Sequence, residues 1–131
     1  MMSRQQKAFI EDRKQAGLMI KLKMDELIRS IKKDDINQFE ELIQEDANLA
    51  HSMFDRVNFP IHIACEYNRL SMVKILVEIY RVDVNVRCKL TGYSPLMYAC
   101  QVGNYDIIEY LSLKVKEVDL ETQSLFGRNA V

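Results

Sequence analysis

Nowhere does the chain carry an apolar run of the roughly 18 residues that a membrane-crossing helix needs, and its N-terminus has no apolar block followed by a small-residue cleavage site. No membrane association is expected, and the chain reads as cytoplasmic. Cysteine is sparse: Cys65, Cys88 and Cys100 make three, an odd number without the dense, even spacing of a secreted disulfide framework, which fits a reducing compartment. Missing too are a phosphate-cradling glycine loop, a Cys-x-x-Cys pair and a nucleophile motif. No enzyme, no cofactor and no small-molecule substrate is expected.

What is present is one domain's worth of chain, 131 residues with 48% hydrophobic and 28% charged side chains, a globular composition. The net charge of -1 hides a segregation. Residues 1–33 hold nine basic against four acidic side chains, while residues 34–131 hold nine against fifteen. The basic front end reads either as a solvated helix or tail or as a surface for an acidic partner. Its interspersed acids, and Phe9 as its one aromatic for base stacking, argue against nucleic acid.

Sliding the sequence against itself decides the architecture. PIHIACEYNRLSMVKILVE, from Pro60, aligns without gaps at an offset of 35 with PLMYACQVGNYDIIEYLSL, from Pro95. The same offset carries Gly92 onto Gly127, so LFGRNAV opens a further unit, and an offset of 34 lays ELIRSIKKDDINQFEELIQ, from Glu26, under the Pro60 segment.

The recurring residues have physical reasons. Pro60 and Pro95 sit in a helix's first turn, where the fixed φ is preorganised and the missing N–H costs nothing. Ser94 can cap the helix it precedes; Phe59, at the matching place, cannot. Asp34, Asn68 and Gly103 occupy equivalent positions where a left-handed residue ends a helix. Ala64 and Ala99, with Ser30 beneath them, are small where neighbouring helices stack. Leu70, Val73 and Leu76 match Tyr105, Ile108 and Leu111 as the apolar stripe of a second helix. Between units, VDVNVRCKLTGYS reads as an extended, hairpin-like loop with a Thr-Gly turn.

A period near ~33 residues, a turn, a Pro-led helix of the form T-P-L-H-x-A and a second apolar helix resemble ankyrin repeats. The motif stands here as FPIHIAC and SPLMYAC. Val57 replaces the family's turn glycine, Phe59 its threonine and Met97 its histidine, which is kept at His62. The resemblance implies an all-α solenoid of helix-turn-helix units with projecting loops. A helical extension occupies residues 1–24 and the repeat domain 25–131, with a divergent first repeat at about 25–53, a second at 54–88, a third at 89–123 and the start of a fourth at 124–131. Ile20, Met24, Leu27 and Ile31 share one side of the extension's helix, which either caps the stack or binds a partner, capping being favoured. Gly17 weakens that helix, leaving residues 1–16 free to move.

His62 and Cys65, three apart, have the spacing of two metal ligands, with Cys88 or Cys100 as conceivable companions. The better reading makes Cys65 and Cys100 equivalent small buried positions, so no metal is expected. By resemblance, His62 hydrogen-bonds neighbouring loop backbone.

Function is then expected on the surface: a protein-interaction module using the concave face and loop tips that the resemblance implies. Those positions are Asp55, Arg56, Asn58, Glu66 and Tyr67 in the second repeat, and Leu90, Thr91, Tyr93, Gln101 and Val102 in the third. Tyr67 and Tyr93 are the expected anchors, unless either ring lies across a neighbouring loop. The alternative is an architectural subunit or a fragment of a longer repeat protein. Ile107, Ile108, Leu111 and Leu113, with Leu125, Phe126, Ala130 and Val131, are expected to leave an apolar C-terminal edge for further repeats or another polypeptide.

Overall fold

The structure, a computed structural model, describes residues 3–55 and 57–115. It is all-helical: no strand occurs among the described residues, and none of their helices is long and apolar enough to cross a membrane. Helix α1 spans Arg4–Lys33 and α2 spans Ile36–Glu45, followed by a 3-10 turn at Ala47–His51. Helices α3 (Pro60–Glu66) and α4 (Leu70–Lys74) form the next unit, α5 (Pro95–Val102) and α6 (Tyr105–Glu109) the third. Both α4 and α6 widen into a π-helical turn, at Ile75–Ile79 and Tyr110–Lys114, again 35 residues apart.

Local chemistry places the boundaries. Asp35 Oδ1 accepts from Gln38 N–H at 3.2 Å and Ser94 Oγ from Met97 N–H at 3.3 Å, capping α2 and α5. The turns after α1, α3 and α5 pass through left-handed residues at Asp34 (φ 60), Asn68 (φ 60) and Gly103 (φ 85). A further left-handed residue, Arg81 (φ 55), ends the π turn after α4, where Val82 N–H reaches back to the Leu76 carbonyl at 3.1 Å.

The units stack through α1, α3 and α5, with Ala64, Cys65 and Ala99 fully buried between neighbouring helices. A second, repeating device ties them together. Arg69 donates from Nε to the Ile31 carbonyl (2.8 Å) and from Nη2 to the Lys32 carbonyl (2.7 Å), closing the end of α1 from the next unit. One unit on, Asn104 Nδ2 does the same for the end of α3, reaching the Cys65 carbonyl at 2.6 Å and Glu66 at 3.4 Å. Helices leave their last carbonyls without partners, and here the following repeat supplies the donors.

Three expectations need correction. Ile20 is exposed while Met24, Leu27 and Ile31 are buried: among the described side chains of α1, burial begins at Met24. In the third repeat the buried stripe is Ile107, Tyr110 and Leu111, and Tyr105 is 80% exposed. Leu70, its counterpart, is half-buried in a unit whose α4 packs against α6; among the described residues no further helix does that for α6. Ile107 and Leu111 therefore belong to the core and not to an apolar edge. Leu113 is exposed, Ile108 is half-buried, and Leu125, Phe126, Ala130 and Val131 lie outside the described residues.

Candidate protein-binding surface

The loop tips are built first, since they carry most of the candidate residues. In the tip before α3, Phe54 N–H bonds to the Asn58 carbonyl at 3.1 Å. Asp55 Oδ1 accepts from the backbone N–H of Val57 (2.9 Å) and Asn58 (2.7 Å), and Asn58 Nδ2 donates to Asp55 Oδ2 at 3.3 Å. Val57 stands where the family has a turn glycine yet keeps a negative φ, because the Asp55 carboxylate closes the turn instead. The tip before α5 uses the glycine: Gly92 has φ 73, its N–H bonds to the Cys88 carbonyl at 2.7 Å, and Cys88 N–H bonds to the Tyr93 carbonyl at 2.8 Å. Lys89 N–H donates to the Val57 carbonyl at 3.1 Å, joining the two tips.

His62 braces this end from inside. It is fully buried; its Nδ1 accepts from Phe59 N–H at 3.0 Å, so Nε2 carries the proton and donates to the Val86 carbonyl at 3.0 Å. The imidazole thus ties the N-cap residue Phe59 to the start of α3, the reciprocal half of a capping box, and both its nitrogens are occupied. Among the described residues no group of His, Cys, Asp or Glu is placed to hold a metal ion. Tyr98 completes the brace, its ring edge-on to His62 at 5.3 Å and to Tyr93 at 5.6 Å and its hydroxyl donating to Asn58 Oδ1 at 3.1 Å. Burial raises the Cys88 thiol, but hydrogen bonding with the Thr91 and Tyr98 side chains and with the Thr91 and Leu90 backbone outweighs it and holds the group below its ordinary value.

Burial lowers the His62 pKa below 6.5, against the opposing pull of the Val86 and Tyr93 backbone and the Asp55 carboxylate. Between the folded and unfolded pKa values the unfolded chain binds the proton and the folded chain does not. This residue therefore adds stability above about pH 6.5 that is lost as pH falls below it, with a slope of at most about 1.4 kcal/mol per pH unit. Urea unfolding from about pH 7.5 down to about pH 5.5 should show a steeper loss for wild type than for His62→Gln. Parallel slopes would mean that the buried imidazole is not what titrates.

The candidate residues divide into two groups. Asp55, Asn58, Leu90, Thr91 and Tyr93 belong to the braced tips; Leu90 is 82% exposed, Thr91 is exposed, and Tyr93 is half-buried against Tyr98. Glu66, Tyr67, Gln101 and Val102 are exposed at the far ends of α3 and α5, roughly 10 Å along the helices from the tips at 1.5 Å per residue. Tyr67 is 39% exposed, with Lys32 Nζ 5.7 Å from its ring centroid. Arg56 lies outside the described residues. Tyr98 and Lys32 escape a motif-based reading. Their one signal is an aromatic at the open x of S-P-L-M-x-A and a lysine 35 residues before Tyr67.

Helix-turn-helix units stacked through small residues, with braced tips along one end, define a repeat solenoid. The chain belongs to the ankyrin-repeat family: the description "Ankyrin repeats (3 copies)" matches residues 27–124. It is 29% identical over 90 residues to a probable E3 ubiquitin-protein ligase, XBOS32, of Oryza sativa subsp. japonica, covering 68% of this chain and 18% of that protein. It is 36% identical over 63 residues to XBOS33 of the same plant, covering 48% of this chain and 12% of that one. The SMC5-SMC6 complex localization factor protein 1 of Homo sapiens is 33% identical over 63 residues, 48% of this chain and 6% of that protein. The chain thus spans less than a fifth of these relatives. Ankyrin repeats form protein-interaction modules and are not themselves catalytic.

Proposed function

We propose that the chain recognises a partner protein through the joined loop tips and the exposed ends of α3 and α5, acting as a cytoplasmic adaptor module. The observation that carries this reading is Leu90, a large apolar side chain 82% exposed at the apex of a tip that Gly92, Tyr93 and the neighbouring tip hold in place. An exposed leucine on a braced loop presents apolar area without the entropy of ordering a floppy segment. Tyr67 and Val102 extend the exposed apolar surface to the helix ends. Segments like this one occupy small parts of proteins named as a probable ubiquitin ligase and a complex localization factor, which supports a recognition role inside different larger chains.

The test compares three immobilised forms of the chain as baits: wild type, Tyr67→Ala/Tyr93→Ala, and Glu78→Ala as a control away from the tips. A partner retained by wild type and the control should be lost from the double variant, whose helical circular dichroism should be unchanged. Equal retention by all three would sink the tip-and-helix-end surface. A second reading, a subunit permanently built into a larger assembly, draws on the exposed Tyr105 and Leu113 of the third repeat's outer helix. A Tyr105→Lys/Leu113→Lys chain that becomes more soluble and loses its assembly neighbours would favour it.

A further inference from the structure

Leu90 stands beside cations in a part of the chain that is otherwise acidic. Residues 34–131 hold nine basic against fifteen acidic side chains, yet no aspartate or glutamate occurs between Asp83 and Asp106, the stretch that carries Arg87 and Lys89. Both cations are exposed, as are the neighbouring Leu90 and Thr91. Arg87 is folded onto its tip, where Nη1 donates to the Gly92 carbonyl at 3.1 Å and to Met97 Sδ at 3.7 Å, so its charge is held beside the apex. Lys89 stands where the tips join, its backbone N–H on the Val57 carbonyl. The carboxylate of the first tip is turned to its own loop. Asp55 Oδ1 accepts from the Val57 and Asn58 N–H groups and Oδ2 from Asn58 Nδ2, so both oxygens already serve local donors.

We infer that the tips take an acidic segment of the partner protein, a short extended stretch in which aspartates or glutamates surround a large apolar residue; this rests on the partner-binding reading and gives that partner its chemistry. The carboxylates meet Arg87 and Lys89, and the apolar side chain packs on Leu90. Size favours a segment over a broad face: a standard protein–protein interface takes about 20–30 residues from each side, far more than the two tips expose. Charge favours acid. Carboxylates gain beside the two cations, while the acidic excess over the rest of residues 34–131 repels an acidic chain from other surfaces and steers it to the tips. Nucleic acid fits less well, because its affinity comes from a run of phosphate contacts that two cations do not supply.

Selection from a phage-displayed library of random dodecapeptides on the immobilised 131-residue chain tests it, with fluorescence anisotropy of the enriched peptides measuring affinity. Wild type is expected to enrich peptides rich in Asp and Glu that also carry Leu, Ile or Phe. Their affinity should fall about five-fold in Lys89→Glu, which leaves the Arg87 bonds in place, and further in Arg87→Glu/Lys89→Glu. Lys21→Glu/Arg29→Glu, which reverses two exposed cations of α1, should leave it unchanged. Leu90→Ala should weaken the same peptides, and raising NaCl from about 50 to about 500 mM should cost about ten-fold. Circular dichroism of every variant should match wild type. The proposal is overturned by enriched peptides that are neutral or basic, by no enrichment over an uncoated surface, by acidic peptides that bind the tip variants as tightly as wild type, and by tighter binding of an oligothymidylate. Neutral peptides lost in Tyr67→Ala/Tyr93→Ala would keep the tip surface and remove its preference for acid. Peptides indifferent to both sets of substitutions would remove the surface as well.

Discussion

Ala99→Leu is expected to destabilise the chain by about 1–3 kcal/mol, while Gln101→Leu, two residues along the same helix, stays within about 0.5 kcal/mol of wild type. Ala99 is fully buried on α5, which packs against α3 with its equally buried Ala64 and Cys65, so three added carbons force the helices apart or drive side chains off their rotamers. Gln101 is exposed, and leucine there displaces only water. Urea unfolding of both variants, followed by circular dichroism, measures the difference. Equal midpoints would mean that the helices do not stack through these small residues.

Asn104→Ala should lower stability by about 1–3 kcal/mol, a large effect for removing one amide. The side chain is buried, and its Nδ2 serves the Cys65 and Glu66 carbonyls of the preceding repeat. Alanine fills less of the space and leaves the buried Cys65 carbonyl without its partner, so the full desolvation penalty of that group is felt. Native-state hydrogen exchange adds a second readout: amides in the last turn of α3 should exchange faster in the variant than in wild type. An Asn104→Ala chain with wild-type stability and unchanged exchange would remove the inter-repeat bond as a stabilising element.

Much of the fold was legible because its punctuation is local. The left-handed residues at 34, 68 and 103, the proline-led starts of α3 and α5 and the Ser94 cap follow from backbone sterics and one short-range hydrogen bond each. What escaped the sequence depends on residues far apart in the chain or on substitutes for a missing group. Asp55 replaces a turn glycine and His62 holds the Phe59 N–H at the start of α3, both visible only once the turn is built. Arg69 and Asn104 reach 38 and 39 residues back, a distance at which no periodicity in hydrophobicity reports a side-chain donor. The stripe of α6 was right at Leu111 but misread at Tyr105 and Ile108, because sequence alignment transfers positions and not neighbours: Leu70 has a helix beside its own unit, whereas Tyr105 is exposed. Of the candidate surface, the tips were identifiable from the repeat, but the aromatic brace through Tyr98 was not.

The reach-back bonds also give the chain a direction in time. During synthesis α1 emerges with its Lys32 carbonyl lacking a protein donor and its Ile31 carbonyl held by the Asp34 N–H alone, until Arg69 has left the ribosome; the end of α3 waits in the same way for Asn104. Each unit is therefore finished by the one made after it, and a nascent chain from which Arg69 but not Asn104 has emerged would hold a sealed first repeat beside an unsealed second.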